Sequence, residues 1–108
     1  MATSTAPAIL TLPASLSIRG MSAVHETLLT ALSKHNALAL DIAENADADL
    51  SFIQVVEAAR IYAQSQGKNI SLAKPANENI INTLRRGGFL TNMEDASRVF
   101  WLHGKDIQ

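Results

Sequence analysis

The sequence contains no cysteine, which excludes both a disulfide scaffold and a metal site built from thiolates. Aromatic residues make up only 5% of the chain, so its core has to be built from Leu, Ile, Val and Ala. Neither sign of charge dominates, because 9 basic and 10 acidic residues leave a formal net charge of -1. Lysine and arginine are not clustered as a nucleic-acid-binding surface requires, so nucleic acid is not an expected partner.

Long apolar segments are also missing. The longest apolar run, residues 37–40 leading into 41–43, has the length of a strand, whereas ~18 apolar residues are needed to span a bilayer. Residues 1–7 lack the basic region and the apolar core of a signal peptide. We therefore expect a cytoplasmic protein without membrane insertion.

Length and composition predict one globular domain. The chain has 108 residues, of which 47% are hydrophobic and 18% are charged. A chain of this size can bury a hydrophobic core without disulfides or metals, and it is too short for two domains. Residues 1–8 are small and polar and predict a flexible tail, which leaves residues 9–108 for the domain.

The first half of the chain predicts strands on either side of a helix. Apolar residues at 9–12 form a strand that a proline bends or ends, and alternation over 16–18 predicts that the same edge resumes. Ser22 is the predicted N-cap of a helix that runs to about Lys34. The run 37–42 is too short for a helix and lacks polar alternation, so it predicts a central strand covered on both faces.

The second half predicts a helix, a strand and two further helices. A helix begins at Leu50 or Ser51, with the capping-box spacing up to Gln54, and ends at Gly67. Residues 69–73 then predict a strand. Alternation of strands and helices implies a mainly parallel sheet with right-handed crossovers.

Two helices follow that strand. The first begins at Pro75 and stops at the glycine pair 87–88. Residues 94–102 favour a short helix over an edge strand, with Asn92 and Asp95 as candidate caps. Its Trp101 is expected to close the domain over the core.

No arrangement typical of catalysis or cofactor binding occurs in the sequence. The three histidines, His25, His35 and His103, are not at metal-ligand spacing from one another or from an acidic residue. Gly87 and Gly88 end a helix rather than open one, so a phosphate-binding loop is absent, and no serine lies in a nucleophile-elbow pattern. We expect neither a cofactor nor a metal, and an enzyme of unknown class is the disfavoured alternative.

An acidic loop, residues 43–50, separates the central strand from the next helix. Asp47 and Asp49 lie in it, at the carboxyl end of a parallel strand, where functional residues of such folds collect. Two interpretations remain open, since acidic residues before a helix can cap it and complement its dipole, or can contact a partner. Capping is favoured for either residue taken alone.

The order and spacing of several segments resemble the STAS domain, the family of anti-sigma factor antagonists and of the cytoplasmic tails of sulfate transporters. The resemblance covers about residues 9–90, and its signature loop and helix begin at Asp49. The matching segments are residues 12–16, 38–42, 49–56 running on to 58–60, 67–72, and the helix end with Leu84, Gly88 and Phe89.

The resemblance implies an α/β fold with a four- to five-stranded, mostly parallel sheet and helices mainly on one face. It also implies action in bacterial partner switching, in which members dock on a kinase-like anti-sigma factor and phosphorylation of one Ser or Thr breaks the complex. That residue directly follows the signature Asp, and its phosphate adds a charge of about -1.5 to -2 to the contact surface.

The phosphoacceptor position departs from the family pattern. Asp49 matches the signature Asp, but the next residue is Leu50, which cannot be phosphorylated. Ser51 follows, where the family often has a second Ser; it is a possible phosphosite, although a helix cap is the favoured interpretation. The usual glycine two positions after the acceptor is replaced by Phe52. We therefore expect an unphosphorylated module of the kind that accompanies chemotaxis or other two-component systems.

The expected function is binding of a signalling protein through the acidic loop, the exposed side of the following helix and a neighbouring loop. The predicted contact residues are Asp47, Asp49, Leu50, Ser51, Gln54, Glu57 and Asn77. The expected partner is a kinase-like anti-sigma factor, a histidine kinase or a chemotaxis protein. The alternative is a STAS-like accessory subunit that binds and stabilises the ATPase of a lipid-transport ABC complex.

Overall fold

Strands and helices alternate along the chain in the computed structural model, which describes residues 7–16, 18–91 and 93–103. The elements of this described part are β1 (Ala8–Thr11), β2 (Ser15–Leu16), α1 (Met21–Lys34), β3 (Ala37–Asp41), β4 (Asp47–Ala48), α2 (Leu50–Ser65), β5 (Asn69–Leu72), α3 (Glu78–Arg86) and α4 (Asp95–Leu102). A short 3-10 turn, Ile18–Gly20, leads into α1.

The strands form two parallel sheets. The larger sheet has the order β1-β3-β5, with Ala8 paired to Leu38 and Leu38 paired to Ile70. The smaller sheet pairs β2 with β4 through Ser15 and Asp47. The α/β class, the mostly parallel pairing and the expected number of strands are confirmed, but the strands are divided between two sheets.

The prediction that the second apolar segment resumes the edge of the first strand is wrong. After β1 the amide of Leu12 still donates to the Asp41 carbonyl (3.0 Å), and the chain then turns at Pro13. Beyond the turn, β2 pairs with β4, which brings the fully buried Leu16 into the core. The sequence could not show this, because β4 has only two residues and lies within the acidic loop.

Helices α1 and α2 pack against each other and against β3 and β5. Leu38 and Leu40 of β3 belong to the resulting core. Ala39 points to the other face of the sheet, where it lies in register between Ile9 and Ser71. Leu38, Ala39 and Leu40 are all buried, as expected for a central strand covered on both faces, although Ile9 beside Ala39 on β1 is 62% exposed.

Helix ends follow the glycines more closely than the predicted caps. Helix α2 ends before Gly67, whose φ of +70° is the left-handed conformation that glycine favours, as predicted. The predicted cap Ser22 instead lies inside α1, whose N-cap is Gly20 without a side-chain bond. Helix α3 begins at Glu78 with Asn77 as N-cap, three positions after the predicted start at Pro75.

The last helix, α4, is confirmed, and its Trp101 is 1% exposed. The indole Nε1 of Trp101 donates to a carboxylate oxygen of Glu57 on α2 (3.3 Å). Arg60, also on α2, forms an ion pair with Glu57 (2.7 Å) and donates to the carbonyl of Ala96 (3.3 Å). The guanidinium of Arg60 lies 4.5 Å from the ring centroid of Phe100. Helix α4 is therefore held to α2 by both apolar and charged contacts.

Parts of the predictions lie outside the described residues. These are most of the predicted tail (residues 1–6), position 17 of the second strand segment, the candidate cap Asn92, and residues 104–108. The predicted domain limits therefore stay a prediction. None of the helices in the described part is long and apolar enough to cross a membrane.

Candidate functional site

The segment from the end of β3 to the first turn of α2 lies at the carboxyl end of a parallel strand, the edge where such folds place their functional residues. A turn closes it, because the amide of Ala46 donates to the carbonyl of Ala43 (3.0 Å). Asp47 and Asp49 then donate their amides to the carbonyls of Ala14 and Leu16 beside β2. The small β2–β4 sheet therefore fixes the backbone that leads into α2.

Asp49 is the N-cap of α2. Its side-chain oxygen accepts from the amide of Ser51 (3.0 Å), and the Ser51 hydroxyl donates to the same oxygen. The predicted capping role of Asp49 is confirmed, and the predicted capping box that begins at Ser51 is wrong. Asp49 takes the cap because its backbone is extended, with φ of -97° and ψ of -178°, whereas Ser51 is already helical.

Leu50 is the first residue of α2, and 41% of its surface is exposed. It lies against Gly87 at the end of α3: a Cβ atom added to Gly87 would be 2.9 Å from a Leu50 methyl carbon and 3.0 Å from the Phe89 ring. The φ of Gly87 is an ordinary -82°, so a side chain there would crowd Leu50 and Phe89 without straining the backbone. An apolar spot formed by Leu50, Gly87 and Phe89 therefore lies beside the start of α2.

Exposed polar residues flank Leu50 in the sequence. Asp47 and Gln54 are exposed on either side of the first residue of α2. His25 on α1 is exposed and lines a shallow groove with Ser51 and Gln54, between α1 and α2. The groove makes the start of α2 accessible from the α1 side as well.

Two of the predicted contact residues, Glu57 and Asn77, make their hydrogen bonds within the chain. Glu57 is bound to Arg60 and Trp101. Asn77 is half-buried; its carbonyl oxygen accepts from the amide of Ile80, and its NH₂ group donates to carbonyls of the turn before β4. The structure therefore brings together Asp47, Asp49, Leu50, Ser51 and Gln54, and directs the side chains of the other two to neighbouring elements.

The histidines do not combine into a reactive group. His25 and His35 are exposed on and just after α1, while a ring nitrogen of His103 lies 3.0 Å from the carbonyl oxygen of Leu72. Within residues 7–16, 18–91 and 93–103, no three His, Cys, Asp or Glu side chains are placed to hold a metal ion.

Sequence reasoning missed Gly87, Phe89 and His25 as neighbours of the site. The sequence predicts Gly87 only as part of a helix stop, and nothing in it pairs Gly87 with Leu50 across α2 and α3. His25 follows the buried Val24 on α1, so its exposed position was predictable, but its place beside Ser51 depends on how α1 packs on α2.

Comparison with protein families gives one result. A family model described as "Mlab, STAS domain" matches residues 1–93, which extends from the start of the chain to just before α4. No curated protein and no solved structure matches the chain. STAS domains are regulatory modules that bind other proteins, and they are typically non-enzymatic. With 93 of its 108 residues matched and the α/β fold in agreement, the chain belongs to the STAS domain family.

Proposed function

We propose that this STAS domain is a bacterial signalling module that binds a protein partner through its docking surface, defined here as Asp47, Asp49, Leu50, Ser51 and Gln54 with the adjoining Gly87 and Phe89. The observation that carries the proposal is Leu50, an apolar side chain that is 41% exposed at the first position of α2. By the family resemblance, this position usually carries the hydroxyl whose phosphorylation breaks a complex. A leucine there supports binding without that switch.

The shape of the apolar spot supports this role. A methyl carbon of Leu50 lies close to Gly87, so part of the Leu50 side chain packs on the end of α3 and the rest is exposed. Burial of the 41% of Leu50 that is still exposed would contribute about 0.6 to 1.2 kcal/mol, a proportionate share of the value for a whole leucine side chain. Asp47 and Gln54, three positions before and four positions after Leu50, are exposed and could supply polar contacts beside it.

The environment of Ser51 argues against a displaced switch. Its hydroxyl donates to the Asp49 carboxylate, and its side chain is half-buried. A phosphate on Ser51 would break that bond and place a second anion beside the capping carboxylate, which costs free energy through repulsion between like charges. We propose that Ser51 works unmodified, as part of the start of α2.

We propose binding rather than catalysis, and a partner within a signalling system: a kinase-like anti-sigma factor, a histidine kinase or a chemotaxis protein. The second candidate is an accessory subunit that stabilises the ATPase of a lipid-transport ABC complex. The same observation favours this second candidate, because a permanent subunit contact needs no phosphoacceptor at position 50. The two differ in lifetime: signalling binding is transient, and a subunit copurifies.

The test is affinity purification of tagged variants from the protein's own cells, with quantitative mass spectrometry of bait and captured proteins. Leu50→Lys places a charge in the apolar spot and is expected to weaken partner binding by at least about tenfold, or 1.4 kcal/mol. Ile61→Lys is the matched control, since Ile61 is a 70% exposed apolar residue further along the same helix. Equal capture by Leu50→Lys and the unchanged protein would contradict the proposed surface.

The captured protein separates the two candidates. A kinase-like or chemotaxis protein supports the signalling role, and stable recovery of a transport ATPase supports the subunit role. The bait itself is expected to carry no modification at Ser51. Phosphate on Ser51 would show that the switch has moved by one residue.

A further inference from the structure

Side chains at the start of α3 donate hydrogen bonds to the turn before β4. The NH₂ group of Asn77 donates to the carbonyl of Ala43 (3.1 Å) and to the carbonyl of Ala46 (3.0 Å). The NH₂ group of Asn79 also donates to Ala46 (3.3 Å). These bonds join residues more than thirty positions apart and connect the turn that precedes the docking surface to the start of α3.

Thr83, one turn further along α3, makes a similar hydrogen bond to β4 itself. Its side chain is 3% exposed, and its hydroxyl lies 2.7 Å from the carbonyl oxygen of Ala48 on β4. Buried polar groups of this kind cost free energy if left unpaired, so the bond favours one position of β4 relative to α3. Asn77, Asn79 and Thr83 together are called the α3 clamp below.

The orientation of the Asn77 amide follows from its two sets of partners. Its oxygen accepts from the amide of Ile80 (2.8 Å), as an N-cap must, and its nitrogen faces the two carbonyls of the turn. With the amide reversed, its NH₂ group would face the N–H of Ile80, and its oxygen would face the carbonyl oxygens of Ala43 and Ala46. One side chain therefore caps α3 and ties down the turn at the same time.

We propose that the residues of the α3 clamp are positioning residues, which hold the turn and β4 in the geometry that a partner binds without contacting the partner themselves. This inference rests on the proposed docking surface and assigns Asn77 a role different from the direct contact expected from the sequence. A surface that is competent only part of the time binds with an apparent affinity reduced by the competent fraction. The α3 clamp keeps that fraction high for Asp47 and the start of α2.

Asn77→Asp tests the clamp with little change in shape. The introduced carboxylate keeps an oxygen for the amide of Ile80, but it loses both donors and faces the carbonyls of Ala43 and Ala46. Hydrogen exchange of single amides by NMR is expected to show about tenfold lower protection at Ala46 and Asp47, the amides of the turn and β4. Amides of β3 and β5 are expected to keep their protection.

In Asn77→Asp, amide protection in the turn is also expected to depend on pH, which would not follow from a general loss of structure. The two facing carbonyl oxygens disfavour the charged form of the introduced carboxyl, whereas the Ile80 amide and the N-terminus of α3 favour it, and the balance of the two sets its pKa. As the pH falls through that pKa, the neutral carboxyl regains one donor. Protection factors at Ala46 and Asp47 are expected to recover partly on acidification.

Asn82→Asp is the matched control, because Asn82 is exposed on the same helix and bonds only to Arg85 among the contacts described. It is expected to leave turn protection unchanged. If Asn77→Asp fails to fold, Asn77→Ser replaces it, since a serine oxygen can still cap α3 but is too short to reach the turn.

Unchanged protection at Ala46 and Asp47 in a folded Asn77 variant would overturn the clamp. If protection falls but a partner captured with the unchanged protein binds the variant with the same Kd, the positioning role is overturned while the clamp stands. Failure of the docking surface is a separate result, because it appears as full binding by Leu50→Lys whatever the exchange experiment shows. The proposal expects lower protection together with an increase in Kd of about threefold or more.

Discussion

Replacement of Arg60 by alanine separates the charged from the apolar part of the contact between α2 and α4. The variant loses the ion pair with Glu57, the bond to the Ala96 carbonyl and the stacking on Phe100. Hydrogen bonds of a charged group and a partly desolvated cation–π contact sum, with incomplete additivity, to about 2 to 3 kcal/mol of stability. For a chain of this size that loss lowers Tm by roughly 8 to 20 °C.

The assay for Arg60→Ala is urea unfolding followed by two probes. Trp101 is the only tryptophan of the chain and lies on α4, so its fluorescence reports whether that helix is docked. Far-UV circular dichroism reports all helices together. We expect both probes to shift to lower urea, with the fluorescence transition of the variant at or below the circular dichroism transition.

Arg85→Ala is the matched control, because Arg85 is exposed and its side chain bonds to Asn82 within the same helix. It should stay within about 0.5 kcal/mol of the unchanged protein. If Arg60→Ala also stays within about 0.5 kcal/mol, the reasoning is refuted, and apolar packing alone holds α4 in place.

Three further predictions concern helix ends and the apolar spot. Asp49→Ala removes the cap of α2 and is expected to lower stability by about 1 kcal/mol, measured by thermal unfolding, while Asp49→Asn keeps most of it. Ser22→Ala is expected to be neutral or stabilising by about 0.5 kcal/mol, because Ser22 is exposed inside α1 and caps nothing. Gly87→Ala displaces the tip of Leu50 and is expected to weaken partner binding by about threefold or more. Its thermal stability should be almost unchanged, because the lower conformational entropy of the unfolded chain offsets the crowding in the folded state.

Each of these three outcomes has a direct contradiction. Equal stability of Asp49→Ala and the unchanged protein would mean that the Asp49 side chain contributes nothing as a cap. A loss of about 1 kcal/mol in Ser22→Ala would restore Ser22 as the cap of α1. Unchanged partner binding by Gly87→Ala would show that the position of Leu50 on Gly87 does not matter for docking.

The sequence was sufficient for features that depend on local chemistry. The apolar runs of β3 and β5 and the left-handed Gly67 are local signals, and the structure has each of them as predicted. The family likeness, carried by Asp49 and the segments around it, was confirmed by the match over residues 1–93. The predicted caps Ser22 and Ser51 were wrong because both residues lie inside their helices, whose N-caps are Gly20 and Asp49.

Features that depend on packing between distant segments could not be predicted. Strand β4 has only two residues and so carries no periodicity; it forms because the amides of Asp47 and Asp49 donate to the carbonyls of Ala14 and Leu16. The α3 clamp requires that Asn77 meet a turn more than thirty positions earlier, which no spacing within α3 indicates. The seating of Leu50 on Gly87 similarly arises only when α2 and α3 come together.

The parallel pairing and the late position of α4 have a consequence for how the chain folds during its synthesis. A helix separates each pair of neighbouring strands of the larger sheet along the chain, so these strands cannot pair as an early hairpin. Helix α4 then brings Phe100, Trp101 and Leu102 into the core after all the elements it packs against have been made. A nascent chain that stops short of α4 therefore exposes the apolar surface that these side chains cover, which makes it a substrate for chaperones and proteases.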